Sequence, residues 1–186
     1  MERFSLRHPG KSLRELDPNV RSLGLVSFLA DLGSETIYPL FPIFVTTVLG
    51  APIAVLGLIE GIAEATASIT KYPSGQAADY TGRHRVFVVG GYGLAALGKL
   101  ILALSFVWPE ALAGRFVDRF GKGMRTAARD DLIAARTKPE HQGLTFGLHR
   151  SMDTMGAVLG ALLALALVQA HVPLRWIFAF AVIPGS

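Results

Sequence analysis

The sequence contains no cysteine, and only 17% of its 186 residues are charged. A soluble domain usually carries about a quarter charged residues. The first shortage excludes a disulfide-stapled secreted module. The second, set beside 51% hydrophobic residues, excludes a disordered chain and a nucleic-acid packaging protein. The first 20 residues also lack the apolar stretch of a cleavable signal peptide. With the five histidines scattered, no metal-ligand spacing and no nucleophile–base constellation stands out. No metal, cofactor, catalytic residue or enzymatic reaction is therefore expected.

What is present is a set of long apolar runs separated by blocks of charge. Gly156 to Ala170 reads GAVLGALLALALVQA, and Val86 to Trp108 contains Lys99 as its only formal charge. A bilayer core about 30 Å thick needs roughly 20 helical residues, and no globular domain this small needs helices apolar all round. Hydropathy and breakers predict helices over 21–48, 52–78, 85–107, 109–135, 142–170 and from 174 onward, joined by short connections. The expected fold is all-α, an up-and-down integral membrane bundle of five complete transmembrane helices and a truncated sixth. Residues 1–20 read as a cytoplasmic polar tail and 21–186 as the membrane unit.

Lys and Arg alternate between connections. Arg3, Arg7, Lys11, Arg14 and Arg21 precede or open the first helix, Arg83 and Arg85 follow the second, and Arg136 and Lys138 follow the fourth. The first and third connections carry none. This bias places the N-terminus in the cytoplasm, in the cell (inner) membrane, with the bilayer and not nucleic acid as the partner of the basic residues.

Charges inside spans mark candidate function, because one near the bilayer centre costs about 2.5 to 3.5 kcal/mol. The fourth helix holds Arg115, Asp118, Arg119, Lys122, Arg125 and Arg129, too many for a lipid-facing span. Asp118 can reach Arg115 or Lys122 along the helix, either as simple neutralisation or as the lining of a water-filled pathway. Lys99 needs an acid partner or a cavity. Asp31 and Glu35 stand one turn apart in the first helix, as Glu60 and Glu64 do in the second. Paired buried carboxylates raise one another's proton affinity, which makes Asp31 and Glu35 candidates for proton coupling or substrate contact. Asp31 could equally be locked in a structural pair with Arg115, Arg119 or Lys122, and Glu60 could lie near an interface. Pro39 and Pro42 are expected to kink or loosen the end of the first helix. His149, Arg150 and Asp153 form a polar patch that could pair with the fourth helix or merely lie near the cytoplasmic surface, the second reading applying at least as well to His149.

Between the second and third helices runs Gly75-Gln76-Ala77-Ala78-Asp79-Tyr80-Thr81-Gly82-Arg83-His84-Arg85. Gly75 admits a close neighbour, Gly82 suits a left-handed helix end, and Asp79 with Arg83 offers a charge-assisted pair. Gly82-Arg83-x-Arg85 alone is equally a basic turn. The whole pattern resembles the signature loop of the major facilitator superfamily, with Tyr80 and His84 where that family often has basic residues. The resemblance implies a loop that stabilises the outward-open state, its Asp79 near a helix of the other half and its Arg83 paired to Asp130 or Asp131. Gly114-Arg115-Phe116-Val117 with Gly121 and Gly123 is similar to a second family motif, although Arg119 stands where glycine is usual. That likeness implies a cavity-facing Arg115 associated with proton coupling. Gly147, Gly156 and Gly160 reproduce glycine spacing of the family's antiporter motif, but Ala161 replaces its proline and Ala164-Leu165 its glycine pair. Close helix packing explains them equally well.

The resemblance covers the N-terminal six-helix half of a two-half transporter. It implies a secondary active transporter moving a small solute by alternating access, coupled to protons and directed to efflux, whose pathway needs a C-terminal six-helix half or a second copy. The alternative is a half-transporter or fragment without transport of its own.

Overall fold

The computed structural model describes residues 18–185. The expected polar tail, with Arg3, Arg7, Lys11 and Arg14, lies outside the described residues. All regular structure among them is helical: α1 Pro18–Ile37, α2 Ile53–Thr81, α3 His84–Leu104, α4 Trp108–Ala135, α5 Gln142–Gln169 and α6 Leu174–Phe180. Prolines set several starts. Pro18, Pro52 and Pro173 sit at or just before a first turn, where the amide they lack has no intrahelical partner. At the head of α4, Glu110 reaches back to accept the Phe106 and Val107 amides at 2.6 and 3.3 Å.

The first helix does not stop at Ile37. Pro39 and Pro42 cannot donate to the α ladder, so the chain passes through a 3-10 turn (Tyr38–Leu40), one α turn (Phe41–Ile43) and a π turn (Phe44–Val48). The loosened helix end expected from the two prolines is present, and Gly50 at φ +64° closes it. Gly82, also at φ +64°, ends α2, its amide donating to the Asp79 carbonyl at 3.2 Å.

The main seams join α3 to α4, α1 to α5 and α2 to α4. All three seams depend on missing Cβ atoms; in the α2–α4 seam a Cβ on Gly123 would meet the Ala67 carbonyl at 2.7 Å. A Cβ on Gly91 would meet the Gly121 carbonyl at 2.6 Å, and one on Gly98 would meet the Gly114 carbonyl at 2.6 Å and collide with the Asp118 amide. In the α1–α5 seam, Cβ atoms on Gly156 and Gly160 would strike the Phe28 and Leu32 carbonyls. These two glycines therefore act in packing.

Apolar clusters close both ends of the bundle. Phe41, Phe44, Ile59, Leu102, Ala111 and Phe178 pack at one end, with the Phe44 and Phe178 rings 4.7 Å apart. Ala30, Ala78, Val88, Tyr92 and Ala128 pack at the other. The outer surface is apolar too, with Ile53, Ile69, Val89, Leu104, Leu162 and Leu165 exposed, as lipid solvation requires. By length and composition alone, Ile53–Thr81, His84–Leu104 and Pro139–Gln169 can each cross a membrane. The α4 helix misses that criterion because of its charges, yet most of them face inward, while Phe116 and Phe120 lie on its outer side.

Candidate functional site

Residues 115, 118, 119, 122, 125 and 129 recur at helical spacing along α4, so one stripe of the helix carries six charges. Sandwiched between α2 and α3, this stripe is taken out of contact with lipid. The Arg115 side chain is 2% exposed, Asp118 6% and Arg119 5%. Each therefore needs a partner.

At the centre, Asp118 collects three cations. Lys99 Nζ lies 3.5 Å from its Oδ1, while Arg115 Nη1 and Arg119 Nε lie 3.6 and 3.7 Å from Oδ2. The acid that Lys99 requires is thus Asp118, and the glycine seam beside Gly98 is what lets α3 bring the ammonium there. Facing them, α2 supplies the missing negative charge. Arg115 donates through Nε to Glu60 Oε1 at 2.9 Å and through Nη2 to Glu60 Oε2 at 3.0 Å, a bidentate pair. Arg119 Nη1 lies 3.5 Å from Glu64 Oε1. The irregular end of α1 adds aromatic faces, with the Arg115 guanidinium 5.4 Å from the Tyr38 ring and 5.1 Å from the Phe41 ring. Glu60 is therefore held by a guanidinium and is not a free interfacial acid.

A second group lies further along α4, against α1 and α5. Arg125 Nη2 is 3.6 Å from Asp31 Oδ1, and its guanidinium lies 4.3 Å over the Tyr92 ring. The partner of Asp31 is thus Arg125, where the spacing suggested Arg115, Arg119 or Lys122. The rotation of α1 against α4 decides this, and sequence periodicity does not reveal it. Arg129 donates to Ser27 Oγ at 2.6 Å and pairs with Asp130 at 3.1 Å and Asp153 at 3.7 Å. His149 Nδ1 lies 3.4 Å from Asp153 Oδ2, and Arg150 reaches Asp130 and Asp153 at 3.7 Å. The polar patch of α5 thus pairs with α4 as one of its two readings anticipated. Glu35, one turn beyond Asp31, is half-buried beside Gly160.

The loop between α2 and α3 differs from expectation in its partners. Arg83 and Arg85 are exposed, and Arg83 forms no ion pair with Asp130 or Asp131. Asp130 is already engaged by Arg129 and Arg150. His84 turns inward instead, its Nε2 3.8 Å from Asp79 Oδ1. Asp79, His84 and Asp131 have ligand atoms all within 4.8 Å of one another, a grouping not visible in the sequence because Asp131 arrives from α4. The close neighbour of Gly75 is the Ala127 methyl group, 3.0 Å from where a Cβ would stand.

A bundle apolar outside, with paired charges along an inner helix, defines an integral membrane protein with a polar interior. The chain belongs to the major facilitator superfamily, whose family model matches residues 23–185. It is 38% identical over 164 residues to the uncharacterised MFS-type transporter MJ1317 of Methanocaldococcus jannaschii, covering 88% of this chain and 41% of that protein. It is 30% identical over 141 residues to the multidrug resistance protein MdtH of Aeromonas hydrophila, covering 76% of this chain and 35% of the relative. It is also 30% identical over 147 residues to the inner membrane transport protein YajR of Escherichia coli, covering 78% and 30%. The chain thus spans 30% to 41% of the length of these relatives.

Proposed function

We propose that this chain forms the N-terminal six-helix half of a secondary active transporter that moves a small solute by alternating access, coupled to protons and directed outward. The carrying observation is the stripe of paired charges on α4 between Arg115 and Arg129, buried inside a bundle whose exterior is apolar. Charges are retained in such a place where a pathway uses them. Asp31 and Glu35 serve as the proton-coupling acids, Arg115, Asp118, Arg119 and Lys122 line the pathway, and Gly75, Asp79, Gly82, Arg83, Arg85, Asp130 and Asp131 form the gating end. The N-terminus lies on the cytoplasmic side of the inner membrane, on the strength of the Lys and Arg bias. Outward direction draws support from the similarity to MdtH, a multidrug resistance protein.

The test is transport by the native protein reconstituted in vesicles carrying an internal pH-sensitive dye. Solute-dependent proton movement is the expected result. A saturable solute flux that leaves the internal pH unchanged overturns coupling, and the absence of flux for every solute class overturns transport. A second helical set completes the pathway, either on the same polypeptide or on a partner. Intact mass of the native protein, well above 19.9 kDa or equal to it, separates those two arrangements.

A further inference from the structure

We infer that the polar cavity between α1, α4 and α5 is a binding site for a small oxyanion, a carboxylate or phosphate group, which names the substrate class of the transporter proposed above and rests on that function. The cavity holds about 300 Å³ and is lined by Lys122, Arg125, Arg129 and Arg150 against Asp31 and Asp153. Its lining is therefore net positive by two charges. Asp130, which pairs with Arg129 and Arg150 from just outside the lining, lowers the surplus to one. His149 stands beside Asp153.

The surplus has free donors. The Arg125 side chain is only 4% exposed and is fixed on one side by Asp31 and on its face by Tyr92, yet its Nη1 is buried without a hydrogen-bond partner. A buried guanidinium nitrogen left unbonded carries an uncompensated desolvation cost, and an incoming oxyanion removes it. One turn earlier on α4, Lys122 has no carboxylate within 4.0 Å among the described residues. Thr126 and Thr154 give their hydroxyl protons to the Lys122 and Arg150 carbonyls at 2.6 and 2.9 Å, so the cations are the donors left for a ligand. Asp153 Oδ1 is likewise buried and unbonded. It accepts from a hydroxyl or ammonium elsewhere on the same solute, which favours a hydroxy acid or amino acid over a bare anion.

The same oxyanion chemistry is carried by soluble solutes and by anionic lipid headgroups. The test is thermal unfolding and calorimetric titration of the native protein in phosphatidylcholine nanodiscs, with lactate, citrate, inorganic phosphate and tetraphenylphosphonium at matched ionic strength. A second set of nanodiscs contains phosphatidylglycerol. Saturable binding of at least one anion and none of the cation is expected, weakened about tenfold in Lys122→Gln, in line with loss of one charge-assisted contact. Arg125→Gln should weaken it further, and Arg125→Lys should recover part. Stabilisation by phosphatidylglycerol that Lys122→Gln removes, without soluble-anion binding, assigns the site to a lipid phosphate. No stabilisation by any anion or by the lipid, or binding unchanged in both Lys122→Gln and Arg125→Gln, overturns the site. Because binding is read without flux, failure here is distinct from failure of transport.

Discussion

The Glu60 carboxylate of α2 receives two hydrogen bonds from the Arg115 guanidinium of α4, at 2.9 and 3.0 Å. The planar fork matches the carboxylate edge, so charge alone does not replace it. Arg115→Lys should destabilise the protein by about 1.5 to 3 kcal/mol, the range of a charged hydrogen bond. Arg115→Gln with Glu60→Gln should be less damaging than the sum of the two single changes, because each single change strands a buried charge. Denaturant unfolding in detergent measures both, and strict additivity would remove the pair from the account.

Asp118 is the only carboxylate within 4.0 Å of Lys99 among the described residues, whereas Asp118 itself faces three cations. Removing the acid therefore leaves more uncompensated charge than removing one base. Asp118→Asn should cost about 3 to 5 kcal/mol, the scale of a broken buried pair, and Lys99→Met should cost less. The reverse order in unfolding midpoints would show that Asp118 does not hold this cluster together.

Helix ends were legible wherever a residue type forces the backbone. Pro52 and Pro173 mark starts, Gly82 marks a stop, and Pro39 with Pro42 announce the irregular end of α1. The charged stripe of α4 was legible as well, since six charges at helical spacing exclude a lipid-facing helix. Partners across helices were not. Glu60 for Arg115 and Arg125 for Asp31 depend on how far each helix is rotated against its neighbour, which for α2 and α4 involves the close approach of Gly123 to the Ala67 carbonyl. His84 read as a weak substitute for a basic residue, and only the path of α4 shows that it sits with Asp79 and Asp131.

That grouping changes what is expected of the loop. A latch carried by Asp79 and Arg83 predicts that reversing both charges restores transport better than either reversal alone. With His84 3.8 Å from Asp79 and Arg83 exposed, His84→Ala should impair transport more than Arg83→Ala, and His84→Arg should preserve it. Initial rates in reconstituted vesicles distinguish the cases, and equal loss in the two alanine variants would sink the preference for His84.

The two α1 acids differ in their surroundings. Asp31 is engaged by Arg125 at 3.6 Å, while Glu35 is half-buried beside Gly160. If both serve proton coupling, Asp31→Asn and Glu35→Gln should each flatten the pH dependence of transport. Asp31→Asn should also weaken the α1–α4 contact and lower the unfolding midpoint, because it frees a buried guanidinium. An unchanged pH profile in both variants would end their coupling role.

Gly98 is where the packing and the charge cluster meet. A Cβ there would collide with the Asp118 backbone amide and stand 2.6 Å from the Gly114 carbonyl, both backbone atoms that cannot rotate away. Gly98→Ala must push α3 from α4 and carry Lys99 away from Asp118 with it. The expected cost is about 1 to 3 kcal/mol from overpacking, with the weakened ion pair in addition. Gly93, in the same helix with nothing within 4 Å of its Cβ position, is the matched control. There alanine removes only the conformational penalty of glycine and should stabilise by about 0.5 to 1 kcal/mol. If the two substitutions shift the unfolding midpoint equally, the close seam does not set the position of Lys99.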